Sequence, residues 1–117
     1  MKYGQLIENL PVWNKFLNTE LAAEYVRPVV SLHQNLMEEL NFIAQEKKSI
    51  LEKYNGRIEG GAVVIDNKDD VAKYNVDIEY LMNNDINIEP VIIKSSGIGS
   101  KLSPALAITL KDLVNIV

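Results

Sequence analysis

The sequence predicts an α+β fold: a long central helix with flanking helices, packed on a small two- or three-stranded sheet. Three observations predict it. Apolar residues recur at helical spacing from Leu21 to Tyr54. Short β-branched runs, Ala62-Val63-Val64-Ile65 and Val91-Ile92-Ile93, stand beside turn-forming residues. The 117 residues, 47% hydrophobic and 24% charged, suit one globular domain over residues 1–117 rather than a disordered chain.

At the start, Leu6, Leu10, Trp13 and Leu17 follow a helical 4-3-4 spacing. Pro11 lies inside that run, and a mid-helix proline removes a hydrogen bond and clashes with the preceding turn. A short helix before Pro11 and a separate helical turn or bend after it are therefore expected. Pro28 either kinks the next helical run or opens a fresh helix. Beyond it, Val29, Leu36, Ile43 and Ile50 recur every seven residues, and His33, Leu40, Lys47 and Tyr54 lie four residues after each. This is an a/d seam, with His33 and Lys47 as its polar members. Val30, Met37, Ala44 and Leu51 widen the stripe, which suits packing in a globular core. The long helix is expected from about Pro28 to Tyr54 and is closed by Asn55-Gly56, either of which takes the left-handed cap conformation.

Gly60-Gly61 reads as a tight turn leading into a strand over residues 62–65. Val71, Tyr74, Ile78 and Leu81 are spaced 3-4-3, which predicts a helix over residues 69–82 with its cap in Asp66-Asn67-Lys68-Asp69. Ile86-Asn87-Ile88-Glu89 alternates like a half-buried strand, and Val91-Ile92-Ile93 continues as an apolar one, with Pro90 marking a bulge or an edge. Residues 95–100 read as a flexible loop. Ser103-Pro104 starts a last helix whose inner face is Leu106, Leu110 and Leu113.

The composition narrows the chemistry. The sequence has no cysteine, which removes disulfides, thiolate catalysis and cysteine-ligated metals, and its single histidine cannot form a histidine pair for zinc or di-iron. The net charge is -4 and the longest basic run is Lys47-Lys48, so no nucleic-acid partner is expected. No apolar run is long enough to span a bilayer. Residues 1–11 lack the apolar core and cleavage site of a signal peptide, so a cytoplasmic protein without a membrane partner is expected. The segment from Ser95 to Lys101 has the strand-to-helix context of a phosphate loop, but it lacks the P-loop spacing and the third glycine of a dinucleotide fingerprint. Asp66, Asn67, Asp69 and Asp70 lack the spacing of a calcium loop and are assigned to helix capping. No catalytic, cofactor-binding or metal-binding residue is assigned, and no cofactor is expected.

Five residues are candidates for partner contact. His33 is either a base or pH switch, or a polar residue at a packing seam; it has no evident catalytic partner, which favours the second. Trp13, Phe16 and Tyr25 are either an aromatic patch that anchors an interface or part of the core. Lys47 joins His33 at the seam edge, where a second copy or another protein is expected to dock, while the other side of the helix packs the chain's own sheet and helices.

Three short motifs occur in order: Leu51-Glu52-Lys53-Tyr54 at the end of the long helix, the stretch from Leu81 to Ile86, and Leu102-Ser103-Pro104. Through them the chain resembles a family of small late-gene phage proteins of unknown function from phages of Gram-positive bacteria. The charged tail of that family has no counterpart after Val117. The resemblance transfers no catalytic residue. It implies a phage origin and a role in protein contacts in the host cytoplasm or the virion. The expected function is a non-enzymatic virion or assembly accessory protein that self-associates. The alternatives are a phage inhibitor of a host protein, or a binder that sequesters a small nucleotide through the Gly97–Lys101 loop.

Overall fold

The computed structural model describes residues 1–99 and 103–117. Its elements run in the order α1 (Tyr3–Leu17), α2 (Ala23–Lys53), β1 (Arg57–Glu59), β2 (Ala62–Val64), α3 (Lys68–Asn83), β3 (Val91–Ile93), α4 (Pro104–Leu110) and β4 (Val114–Ile116), with a single 3-10 turn at Ser95–Gly97. The architecture is α+β, organised around the 31-residue α2.

Pro11 does not end α1, which runs through it. The reason is burial on both sides of the proline. Leu6 and Trp13 are fully buried and Phe16 nearly so. Each large apolar side chain gains about 1.5–3 kcal/mol on burial, and together they exceed the ~3 kcal/mol that an interior proline costs. Pro11 itself stays on the exposed face. Pro28 behaves the same way: α2 begins upstream at Ala23 and carries Pro28 on its exposed side. At the other end Asn55 takes the left-handed conformation, with φ 52°. The Gly56 amide donates to the Leu51 carbonyl at 2.9 Å.

The strands form two separate pairs, one antiparallel and one parallel, rather than one sheet. Strands β1 and β2 make a hairpin that pairs Arg57 with Val64 and Glu59 with Ala62. Its turn, Gly60-Gly61, has φ 57° and 81°, the mirror-image turn that only residues tolerant of positive φ accept. Strands β3 and β4 run parallel, joined through α4, with Val91 opposite Val114 and Ile93 opposite Ile116. Two expectations need correction. Strand β4 lies where only the end of a helix was expected: Lys111–Leu113 turns the chain before Val114. Residues 86–89 form no ladder; the segment is tied to the chain start by the Ile86 amide donating to the Met1 carbonyl at 2.8 Å.

The core gathers Tyr3, Leu6, Trp13 and Phe16 of α1, Val29, Leu32, Leu36 and Ile43 of α2, Leu81 of α3, and Ile86, Ile93, Leu110, Leu113 and Val114. We call this part the root. From Ala44 to Tyr80 no residue is buried. This stretch, the arm, consists of the end of α2, the β1–β2 hairpin and most of α3. The arm explains the dimensions of 56 × 24 × 23 Å and the radius of gyration of 17.7 Å, well above the about 13 Å of a compact chain of this length.

Candidate interaction surface on the arm

In the root, three aromatic side chains make internal hydrogen bonds. The Trp13 indole Nε1–H donates to His33 Nδ1 at 3.1 Å, and the two rings stack with an interplanar angle of 20°. The Tyr3 hydroxyl donates to Glu39 Oε2 at 2.9 Å. Burial, reinforced by that carboxylate, raises the Tyr3 phenol above its ordinary value. Tyr25 lies across Gly97, where a Cβ would fall 2.2 Å from its ring, and its hydroxyl accepts from the Lys94 amide at 3.3 Å.

These contacts locate the five sequence candidates. Trp13 and Phe16 belong to the core, so the N-terminal aromatic patch is corrected: their surface is spent on packing. Tyr25 and His33 are half-buried and hold internal hydrogen bonds. Lys47 alone lines a groove on the arm. It is 14 residues from His33, about 21 Å along the helix, so the structure does not bring the two together in one contact edge.

The nucleotide-loop alternative meets a similar obstacle. The Gly97 amide donates to the Lys94 carbonyl, the Ile98 amide to Ser95, and the Gly99 amide to Glu20 at 2.7 Å. These donors are committed within the chain, whereas a phosphate cradle requires free ones. Ser100 and Lys101 of that loop lie outside the described residues, as does Leu102 of the Leu102-Ser103-Pro104 motif.

Two concave surfaces stand out. One, of about 510 Å³, lies beside the root and is polar, with Ser31, Asn35, Glu38, Glu39, Asn87 and Glu89 on its walls. Among the described residues no three His, Cys, Asp or Glu side chains converge to hold a metal ion. No helix there is long and apolar enough to cross a membrane. The other is the arm groove, of about 740 Å³, between the end of α2, the hairpin and α3. Its floor is Leu51, Tyr74 and Ile78. Its hairpin wall is Ile58 and Val63, which are cross-strand partners and so point to one face. These two are 66% and 46% exposed. Lys47, Lys48 and Glu52 rim it. A Cβ on Gly56 would fall 2.3 Å from Leu51 Cδ1, so a glycine is needed for Leu51 to form the floor.

Hydrogen bonds tie the elements of the arm to one another. Asp77 Oδ2 accepts from the Tyr54 hydroxyl at 2.6 Å and from Lys53 Nζ at 3.2 Å, tying the end of α2 to α3. The hydrogen bond from Tyr54, then that from Lys53, lowers the Asp77 carboxyl below its ordinary value. The same bond to Asp77 raises the Tyr54 phenol. Arg57 bridges Glu59 and Asp66, fixing the hairpin to the entry of α3. Asn67 caps α3, its side chain accepting from the Asp69 amide at 2.9 Å.

Comparison of the chain with protein families, with curated proteins and with solved structures gives no match. The groove is therefore read from its own residues. Sequence reasoning placed Tyr74 and Ile78 on one helix face but missed Ile58 and Val63. The available signal was their symmetric position about Gly60-Gly61, which puts both on one side of a hairpin once Arg57–Glu59 is recognised as a strand.

Proposed function

We propose that the protein acts by contact with other proteins rather than by catalysis, as a phage virion or assembly accessory protein of the host cytoplasm that associates with itself. The observation that carries this reading is the arm groove. Its apolar floor and wall, with Ile58 and Val63 held outward, sit on a part of the chain where nothing is buried. Exposed apolar surface gathered in one concavity and rimmed by charge is the usual form of a protein-contact site. The phage setting rests on the motifs that Leu51–Tyr54 and Ser103-Pro104 help to carry.

Photo-crosslinking tests the reading. A benzoylphenylalanine placed at Ile58 is expected to give protein adducts in the cell that produces the chain. The same residue at Asn14, on the exposed side of α1, is expected to give few. Equal yields at the two positions, or none at Ile58, would overturn it.

A further inference from the structure

Lys47 differs from the other charges of the arm groove. It is half-buried, whereas Lys48 and Glu52 are exposed. The ion pairs of the arm are Lys53 with Asp77 and Arg57 with Glu59 and Asp66. Among the described residues, therefore, none of these three has an ion-pair partner. Glu52 stands about one helical turn nearer the tip than the two lysines. The groove thus has a positive end toward the root, made by adjacent lysines, and a single exposed carboxylate further out. Any protein that covers the apolar floor also covers Lys47. Taking an ammonium further out of water is costly unless a carboxylate comes with it. Glu52, exposed on the rim, can stay in water and makes no such demand.

The lining also decides the shape of the partner. Ile58 and Val63 offer one face of the hairpin rather than its edge, and the rest of the lining comes from α2, α3 and Gly56. The Gly56 amide is taken by the Leu51 carbonyl. An extended peptide needs a free strand edge, whereas an amphipathic helix needs an apolar groove. Along α2 the lining runs from Ala44 to Glu52, about 12 Å. Anchors at i, i+3 or i+4, and i+7 of a docked helix cover about the same length. We propose that the arm groove receives an acidic amphipathic helix of another protein. Its apolar face lies on Leu51, Tyr74 and Ile78, and its carboxylates sit at the end that meets Lys47 and Lys48. This rests on the contact reading above, names the partner's chemistry, and leaves self-association to surface outside the groove.

Selection from a yeast-displayed library of single-helix peptides tests the proposal. The library is sorted on the unaltered chain and on Lys47→Glu/Lys48→Glu, with circular dichroism confirming that both are folded. Peptides selected on the unaltered chain are expected to carry Asp and Glu at one end of an apolar face. They are also expected to suppress the adducts of benzoylphenylalanine at Ile58. Peptides selected on the variant are expected to carry Lys and Arg at that end. A peptide selected on the unaltered chain is expected to bind the variant about tenfold more weakly at low salt. No acidic excess, or the same excess on both chains, would overturn the proposal. If Ile58 gives adducts in the cell but no helical peptide competes with them, or the adducts join only copies of this chain, the acidic helix is wrong and the contact reading survives. If Ile58 gives no adducts, both fall.

Discussion

Ile43 and Ile50 stand one heptad apart on the same face of α2, yet Ile43 is 2% exposed and Ile50 only half-buried. The helix does not change between them; its surroundings do. Around Ile43 the root supplies the start of α1, where Tyr3 reaches Glu39 and lies against Phe42. Around Ile50 the arm supplies α3, with Asp77 and Tyr80 beside it, and α3 leaves Val76 and Tyr80 64% and 72% exposed. A heptad pattern identifies the inward face of a helix. It does not say how much protein covers that face.

The comparison can be broken most directly at Ile43. Ile43→Asp puts an unpaired charge into the root and is expected to abolish folding; a native far-UV spectrum would show that the root is not what holds the chain. Leu36→Ala, at a fully buried position, is expected to cost about 2–5 kcal/mol in urea unfolding. The equivalent truncation in the arm, Leu51→Ala, removes a half-buried side chain from a groove and is expected to cost about 1 kcal/mol in dilute solution. Equal losses for the two would erase the distinction between root and arm. Trp13→Phe keeps a ring but leaves His33 Nδ1 without its donor, with an expected loss of about 1–3 kcal/mol.

Acid separates the two regions by a different route. The Asp77 carboxyl is lowered in the folded chain by Tyr54 and Lys53. Its contribution is therefore present above the ordinary carboxylate pKa of 3.8 and is lost as pH falls through the depressed folded value. Hydrogen-exchange protection, taken relative to the intrinsic rate at each pH, is expected to fall several-fold in the arm under acid, and in Asp77→Asn near neutrality, with protection of the root unchanged. A uniform loss of protection across the chain would contradict it. The smallest effect is expected from Lys47→Ala, which changes stability by no more than about 0.5 kcal/mol.

The sequence made the helices legible because each carries its own periodicity and several carry recognisable caps. Asn67, Ser103-Pro104 and Asn55-Gly56 act where their residue types predict. It failed where distant packing overrode a local signal. Pro11 marks a break on local grounds, but the burial of Leu6 and Trp13 carries the helix across it. Val114-Asn115-Ile116 lacks a preceding glycine or proline, so only the presence of β3 alongside reveals it as a strand. The aromatic residues Trp13 and Phe16 carried no mark to separate core from interface. The groove was least visible of all, because its residues come from α2, a three-residue strand pair and α3, and its meaning lies in what fails to cover them.

The path of the chain adds one consequence. Helix α2 leaves the root and α3 returns to it, so residues 44–80 form a single outward excursion with both ends anchored. Lengthening both helices by a matched heptad would carry the groove about 10 Å further out while cutting none of the bonds that close the root. The arm is in this sense a ruler: the distance from the root to the groove is set by helix length, and it could change by a matched heptad without any change to the groove's lining.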